Sequence, residues 1–240
     1  MSFPIIILHG WGRGQQSFEK LKKLLEEKGH QVYSFDLPGF GEEKEPDQPW
    51  SVSNYADYVL NFSQTKDLNK FFLFGHSFGG RVGIKFASHY PEKLAGLILC
   101  DSAGVTPRNK VQFGFLAKSV KIGKKIFSLP VIKYFYPFIK KVIYFLTGNR
   151  DYYRLQSEIM RETFKKVIAE DLKPYLSDIK IPTLIVWGEK DKATPVSDAK
   201  IINEKISNSQ LKIFKNIGHN PQLEMPEKLA GVINDFIKNI

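Results

Sequence analysis

The sequence is poor in cysteine, in long apolar runs and, over one stretch, in acidic side chains. Its single cysteine, Cys100, excludes an intramolecular disulfide framework within these 240 residues and fits a reducing compartment. Because no run approaches about 18 uninterrupted apolar residues, we expect no membrane-spanning helix. No basic segment precedes the strand-like residues that begin at Phe3, as it would in a signal peptide, so the expected location is cytoplasmic.

Acidic residues are missing between Asp101 and Asp151, and this absence accounts for the net charge of +10. The segment holds ten basic residues, a number equal to the net charge, so the rest of the chain is balanced. They are Arg108, Lys110, Lys118, Lys121, Lys124, Lys125, Lys133, Lys140, Lys141 and Arg150. The charge is therefore regional, and because no nucleic-acid-binding motif accompanies it we predict no nucleic-acid partner.

Short apolar runs recur along the chain, and each is followed by histidine, glycine, aspartate or lysine at the start of a polar loop. The runs cover residues 3–8, 31–35, 70–74, 94–100, 183–187 and 211–214. Most of them are separated by helix-like stretches, such as 18–28, which places its leucines on one face. Strands that alternate with helices predict an α/β fold with a mostly parallel sheet flanked by helices. Ligands of such sheets bind beyond the carboxyl ends of the strands.

One region departs from this alternation. From about residue 106 to residue 177 no strand pattern appears, and helix-like runs rich in Phe, Tyr, Ile and Lys are interrupted by Pro130 and Pro137. We interpret 106–177 as a helical cap inserted between two strands, and 1–105 together with 178–240 as the core domain. A chain of 240 residues with 42% apolar residues is long enough to bury one full core.

The pentapeptide Gly-His-Ser-Phe-Gly at 75–79 links the third apolar run to a helix-like stretch at 81–89. A serine on a tight strand-to-helix turn needs small residues two positions before and after it, because the turn brings those backbones together. The pentapeptide alone also fits an ordinary glycine turn. In its strand–turn–helix context we predict that Ser77 is a nucleophile.

A serine hydroxyl needs a base to take its proton, and the chain has five histidines. Four have other expected positions or roles. His30 lies in a loop before a strand, and His89 ends a helix. His76 should point away from the serine, and His9 should have a structural role at the end of the first strand. His219 follows the last strand in a loop that could reach Ser77, and we predict that it is the base.

Two aspartates at strand ends could orient that base, Asp101 after the fourth apolar run and Asp191 after the fifth. A carboxylate in this role fixes the histidine tautomer and stabilises the imidazolium that forms. Asp101 could instead cap the turn where the insertion begins. Asp191 produces the chain order Ser, Asp, His that accompanies a nucleophile elbow, so we favour Asp191 and keep Asp101 as the alternative.

A tetrahedral intermediate also needs backbone N–H donors for its oxyanion. The N–H of Phe78, directly after the serine, is one candidate. The glycine-rich turn His-Gly-Trp-Gly at 9–12 could aim the Trp11 N–H at the same point, although an ordinary strand-end turn has a similar composition. The loss of one such donor typically costs about 3 kcal/mol of transition-state stabilisation.

Five motifs in this order resemble those of the α/β-hydrolase fold superfamily, most closely its small carboxylesterase-like members with a helical cap. They are HGWG at 9–12, DLPGFG at 36–41, GHSFGG at 75–80, WGEKD at 187–191 and GHNPQLEMPE at 218–227. The resemblance implies Ser77 as nucleophile, Asp191 as acid and His219 as base. It also implies the Trp11 and Phe78 amides as the oxyanion hole. A serine at the elbow disfavours the aspartate-nucleophile relatives, such as dehalogenases and epoxide hydrolases.

The sequence differs from the superfamily pattern at its start. Members usually have two antiparallel strands before the HG-containing strand, whereas this chain begins almost on that strand. The resemblance therefore implies a sheet of about six strands that lacks this pair, with the strand at 31–35 at or near an edge.

These features predict a serine hydrolase that cleaves carboxylic esters or thioesters through an acyl-enzyme, without a metal or an organic cofactor. The aromatic residues of 106–177 suggest a small to medium apolar acyl group. The same triad could hydrolyse carbon–carbon bonds of diketone-like substrates or, in other relatives, support perhydrolysis. A ligand-binding pseudo-hydrolase is the non-enzymatic alternative.

The basic residues of 106–177 have a simple interpretation, in which lysines of amphipathic helices extend into water. Two alternatives need an acidic partner. The cap could contact anionic lipid transiently, or it could attract an acyl group carried on an acidic protein or a phosphate-bearing cofactor. Either partner would make binding or activity depend on salt concentration.

Overall fold

The computed structural model describes residues 3–105 and 157–240, and within them six strands form one sheet. The strands are β1 (Ile5–Leu8), β2 (Val32–Ser34), β3 (Phe71–His76), β4 (Leu94–Cys100), β5 (Thr183–Gly188) and β6 (Ser209–Phe214). Their order is β2-β1-β3-β4-β5-β6, and every neighbouring pair is parallel. The predicted six-stranded α/β sheet, with the 31–35 strand at an edge, is confirmed.

Eight α-helices accompany this sheet in the described part of the chain. They are α1 (Glu19–Glu26), α2 (Val52–Thr65), α3 (Phe78–His89), α4 (Glu158–Ala169), α5 (Lys173–Leu176), α6 (Val196–Lys205), α7 (Pro221–Glu224) and α8 (Pro226–Lys238). Local signals set some of their ends. Ser51 and Asn54 form a reciprocal capping box at the start of α2, and Gly29, with φ of 88°, follows α1.

The four central strands, β1, β3, β4 and β5, bury both of their faces because helices cover the sheet on each side. Alternate side chains of one strand point to opposite faces, so Ile6 and Leu8 of β1 belong to one core and Ile5 and Ile7 to the other. The first core packs against α2 to α6. The second packs against α1 and α8. This two-sided burial explains why the strand sequences are continuous apolar runs without alternation.

Two boundaries differ from the sequence prediction, and both lie next to Ser77. Strand β3 continues beyond residue 74, because Gly75 and His76 still pair with Leu99 and Cys100 of β4. Helix α3 begins at Phe78, ahead of the predicted start at 81, because Gly79 and Gly80 belong to its first turn. The turn between strand and helix is therefore only Ser77.

Helices α4 and α5 are the described part of the predicted cap at 106–177, and they attach to α3 through two buried cations. The Arg81 guanidinium donates to the carbonyl oxygens of Val167 and Glu170 at 2.8 and 2.9 Å. The Lys85 ammonium lies 2.5 Å from the Glu170 carboxylate and 3.7 Å from the centre of the Tyr175 ring. Residues 106–156 lie outside the described residues, and the division into core and cap stays a prediction.

Among the described residues, no helix combines the length and apolar character that crossing a bilayer would require.

Replacing Gly79 by alanine should destabilise the protein, because its Cβ would collide with the carbonyl group and side chain of Leu8. Overpacking of this kind typically costs about 1–3 kcal/mol. Gly231 in α8 is the matched control: a Cβ built there meets nothing within 4 Å, and alanine favours a helix interior by roughly 1 kcal/mol. Urea unfolding should give changes of opposite sign. Equal stabilities of Gly79→Ala and wild type would contradict the packing of α3 on β1.

Candidate active site

Ser77 occupies the corner between β3 and α3 in a conformation that L-residues rarely adopt. Its φ is 52° and its ψ is −108°. Hydrogen bonds hold this corner: the Ser77 N–H donates to the Cys100 carbonyl, and the Ser77 carbonyl accepts from the N–H groups of Gly80, Arg81 and Ala103. Backbone strain of this kind persists only where the surrounding structure enforces it, and it is concentrated at functional sites.

The glycines around Ser77 are needed for close packing, as their spacing predicted. A Cβ at Gly75 would collide with the carbonyl oxygen of Gly79, and a Cβ at Gly79 would collide with that of Leu8. Any side chain at either position would therefore open the corner and move the serine.

Ser77, His219 and Asp191 form one continuous hydrogen-bonded line. The His219 Nε2 atom lies 3.0 Å from the Ser77 Oγ, and its Nδ1 lies 2.7 Å from the Asp191 Oδ2. This geometry assigns the tautomer, because Nδ1–H donates to the carboxylate and Nε2 is left to accept the serine proton. The structure thus brings the three predicted catalytic residues together, and their catalytic roles stay a prediction.

The Asp191 carboxylate accepts hydrogen bonds on both of its oxygens. Its Oδ1 accepts the N–H groups of Ala193 and Thr194 at 2.7 and 3.0 Å, and the Thr194 hydroxyl lies 2.6 Å from Oδ2. Burial alone would raise the pKa of Asp191, but the hydrogen bonds from His219 and Thr194 outweigh it and lower the pKa to about 2. The group is therefore an anion at neutral pH, as a partner of imidazolium must be.

The loop that carries His219 is held from two sides. The His76 Nε2–H donates to the His219 carbonyl oxygen at 2.7 Å. The Glu224 carboxylate accepts the N–H groups of Gly218 and Asn220 at 2.9 and 3.3 Å. The sequence predicted only that His76 points away from Ser77, and its contact with the base was missed because 143 residues separate the two partners.

His9 has the structural role that the sequence predicted. Its Nε2 accepts the N–H of Leu37, and its Nδ1–H donates to the Gly10 carbonyl, both at 2.9 Å. Burial lowers the pKa of His9, although the Gly10 carbonyl and the charge of Asp36 oppose the shift. The neutral ring therefore ties the 9–12 turn to the loop after β2.

The two predicted oxyanion donors lie on segments that are joined to each other. The Gly79 N–H at the start of α3 donates to the His9 carbonyl at 3.1 Å, and the rings of Trp11 and Phe78 pack edge to face with centroids 5.0 Å apart. Among the described residues, none accepts a hydrogen bond from the backbone N–H of Trp11 or of Phe78. Both donors are thus unengaged beside the serine.

A cavity opens in front of Ser77, and large apolar side chains form part of its wall. The large apolar residues that line it are Trp11, Phe78, Phe164, Val167 and Ile168. Three of these belong to α4, so the described part of the predicted cap forms one wall of the site. The charged residues Arg13, Arg81 and Asp198 also line the cavity.

Asp101, Asp191 and His219 are the one group of described residues whose donor atoms lie close enough together to suggest a metal site. Their hydrogen bonds argue against that use. The His219 Nδ1 carries the proton that it donates to Asp191, and both Asp191 oxygens already accept N–H or O–H donors. A metal would have to displace the interactions that orient the base.

The buried His76 should make the protein less stable in acid. Burial, followed by the charge of His219, lowers the pKa of His76 from its usual 6.5 to about 3. The unfolded chain binds a proton that the folded protein rejects, so stability falls as pH decreases from about 6.5 towards 3. His76→Gln keeps an N–H donor but cannot be protonated. The free energy of unfolding of His76→Gln relative to wild type should therefore rise as pH falls. Urea unfolding at several pH values measures this, and the same pH dependence in both proteins would contradict the prediction.

Comparison with known proteins agrees with this geometry. The family model described as "alpha/beta hydrolase fold" matches residues 4–120 and 146–226. Monoacylglycerol lipase ABHD6 of Bos taurus is 27% identical over 98% of this chain and 75% of its own length. The AB hydrolase superfamily protein YisY of Bacillus subtilis is 29% identical, with 97% and 91% covered. The solved structure of a bacterial membrane phospholipase A is 25% identical, covers 99% of this chain and 79% of its own, and has a TM-score of 0.75.

The family match covers well over half of the chain, and it includes the segments that hold Ser77, Asp191 and His219. The protein therefore belongs to the α/β-hydrolase fold family, and its relatives include lipases.

Proposed function

We propose that the protein is a serine hydrolase of the carboxylesterase type, which cleaves carboxylic esters or thioesters through an acyl-enzyme. The observation that carries this proposal is the line of two hydrogen bonds from Ser77 through His219 to Asp191, with distances of 3.0 and 2.7 Å. A serine with a purely structural role does not need an imidazole next to its Oγ, whereas a nucleophilic serine needs this base to take its proton.

In the first half-reaction, the His219 Nε2 takes the Ser77 proton as the Oγ attacks the carbonyl carbon of the substrate. Asp191 stabilises the imidazolium that forms. The imidazolium then returns the proton to the departing alcohol or thiol, which leaves the acyl group on Ser77. In the second half-reaction, water loses a proton to His219 and attacks the acyl-enzyme. The imidazolium then returns that proton to the Ser77 Oγ as the bond to the acyl group breaks, and the carboxylic acid is released.

The oxyanion of both tetrahedral intermediates is held by the backbone N–H groups of Trp11 and Phe78. Their lack of a described protein acceptor supports this role, because a donor that is already engaged could not respond to the developing charge. Phe78 is also the first residue of α3, where the positive end of the helix dipole favours an anion.

The substrate is an ester or thioester with a small to medium apolar acyl group. The aromatic and aliphatic side chains of Trp11, Phe78 and α4 support this choice, because they would bury an apolar acyl group away from water. Relatives named as a monoacylglycerol lipase and a phospholipase A support a lipid-like ester. Contact of the basic residues 108–150 with anionic lipid or an acidic acyl carrier stays a prediction, since those residues lie outside the described part of the chain.

Ser77 should react with a fluorophosphonate probe in the folded protein, because the probe captures only a serine that a base activates. Ser77→Ala should abolish labelling and lower kcat by roughly 10⁵- to 10⁶-fold. Ser53→Ala in α2 is the matched control and should keep both. Absence of labelling in the folded wild type, measured by mass spectrometry of the labelled peptide, would favour the pseudo-hydrolase alternative.

The size of Phe164 should set the preferred acyl length. Phe164→Ala removes an aromatic ring from the cavity wall beside Trp11, so kcat/KM for longer acyl esters should rise at least several-fold relative to short ones. A panel of esters that differ only in acyl length measures this ratio. The matched control is Phe62→Ala, which removes a ring that stacks on Phe35 away from the cavity. An unchanged ratio would contradict the assigned wall, and turnover of diketones alone would contradict the ester assignment.

A further inference from the structure

Asp101 is a buried carboxyl group beside the triad that the reaction described above does not use. It directly follows β4, its exposed fraction is 0%, and its φ of 44° lies in the left-handed region. A carboxyl oxygen of Asp101, a carboxyl oxygen of Asp191 and a ring nitrogen of His219 all lie within 4.8 Å of one another. The sequence offered Asp101 as an alternative acid, but the carboxylate that lies within hydrogen-bond distance of the His219 ring is that of Asp191.

The backbone of Asp101 joins it to the segment that holds Asp191. Its N–H donates to the Val186 carbonyl at 3.0 Å, and its Oδ1 accepts the Gly188 N–H at 2.9 Å. The Thr194 hydroxyl, which contacts the Asp191 Oδ2, lies 3.2 Å from the Asp101 carbonyl oxygen. Asp101 is therefore linked to strand β5 before Asp191 and to the turn after it.

The charge of Asp101 differs from that of its neighbour. Burial raises the pKa of Asp101 to about 9, the Gly188 N–H opposes the rise, and the hydrogen bond to Asp191 together with its charge adds to it. Two adjacent buried carboxylates repel each other, and a shared site favours one proton between them. At neutral pH the pair thus carries a single negative charge, which lies on Asp191.

Three other titratable groups face Asp101, namely Asp191, His219 and the Cys100 thiol. Burial, and then the neighbouring Asp101, raises the pKa of Cys100 well above its usual range, so the thiol stays neutral. The Cys100 Sγ lies 3.7 Å from the Asp101 Oδ2. When His219 is neutral, none of these three groups supplies a positive charge that would favour ionisation of Asp101.

We propose that Asp101 is a positioning residue for Asp191, a neutral carboxylic acid whose proton is donated to the Asp191 carboxylate and holds it in line with His219. The proposal rests on the proposed serine hydrolase function. It differs from turn capping, because a cap needs only the backbone contacts and an acceptor oxygen. It also differs from a second catalytic acid, because Asp101 acts on His219 only through Asp191.

This role predicts an alkaline limit to the activity. Above about pH 9 Asp101 loses its proton, so the donor to Asp191 disappears and a second buried anion replaces it. The line from Asp191 to His219 then loosens, and kcat falls. The raised pKa of Asp101 also affects stability. Between about pH 4 and pH 9 the folded protein keeps a proton on Asp101 that the unfolded chain has released, so this group lowers the free energy of unfolding progressively as pH rises through that range.

The experiment compares Asp101→Asn, Asp101→Ala and Asp191→Asn across a pH range. The amide of Asp101→Asn keeps a donor and an acceptor oxygen but cannot ionise. Asp101→Ala has neither and should lower kcat roughly 10- to 100-fold, whereas Asp101→Asn should restore most of this loss. Asp191→Asn should lose roughly 10⁴-fold. The decisive readout is the rate of fluorophosphonate labelling of Ser77 above pH 8, which should fall in wild type and stay level in Asp101→Asn.

A second readout is the proton NMR signal of the His219 Nδ1–H, which should shift as wild type passes about pH 9 and should not shift in Asp101→Asn. An alkaline fall that persists in Asp101→Asn overturns the proposal, and so does a loss in Asp101→Asn as large as in Asp191→Asn. These failures are distinct from failure of the proposed function, in which wild type would not be labelled at any pH. If Asp101→Ala does not fold, the profile of Asp101→Asn still decides the question.

Discussion

The constraint on which the rest of the structure depends is the close contact between the start of α3 and the ends of β1 and β3. Gly75 and Gly79 cannot accept a Cβ, and Ser77 between them takes a positive φ. This contact places the serine at the carboxyl edge of the sheet, leaves the Phe78 N–H beside it without a described acceptor, and joins α3 to the 9–12 turn through the Gly79–His9 hydrogen bond.

Burial determines which of the titratable groups around Ser77 carry a charge at neutral pH. Asp191 keeps its charge because several donors surround it, while burial holds the pKa values of His76 and Asp101 away from neutral pH in opposite directions. Both of these groups are uncharged in the resting protein. His219 therefore faces one anion on a fixed axis, which is the arrangement that a histidine base needs to accept a proton from a serine and return it.

Sequence reasoning reached the sheet and the triad line because both have short-range signals. Apolar runs marked all six strands of the described chain, and glycine spacing with chain order selected Ser77, Asp191 and His219. It placed the end of β3 and the start of α3 too far from Ser77, because glycines were read as turn residues. Gly75 instead continues a strand, and Gly79 lies in the first turn of a helix. The contact of His76 with His219 had no sequence signal, since it joins residues that are far apart in the chain.

The sequence by itself determined which residue types stand at the carboxyl ends of the strands, because apolar periodicity and tight turns are local properties of the chain. Only the tertiary structure decided between the two aspartates. Asp101 and Asp191 follow neighbouring strands and look alike in one dimension, but the loop after β5 directs Asp191 to the His219 ring while β4 leaves Asp101 buried behind it. Their distances to the His219 ring distinguish them, and these distances do not exist until the strands lie side by side.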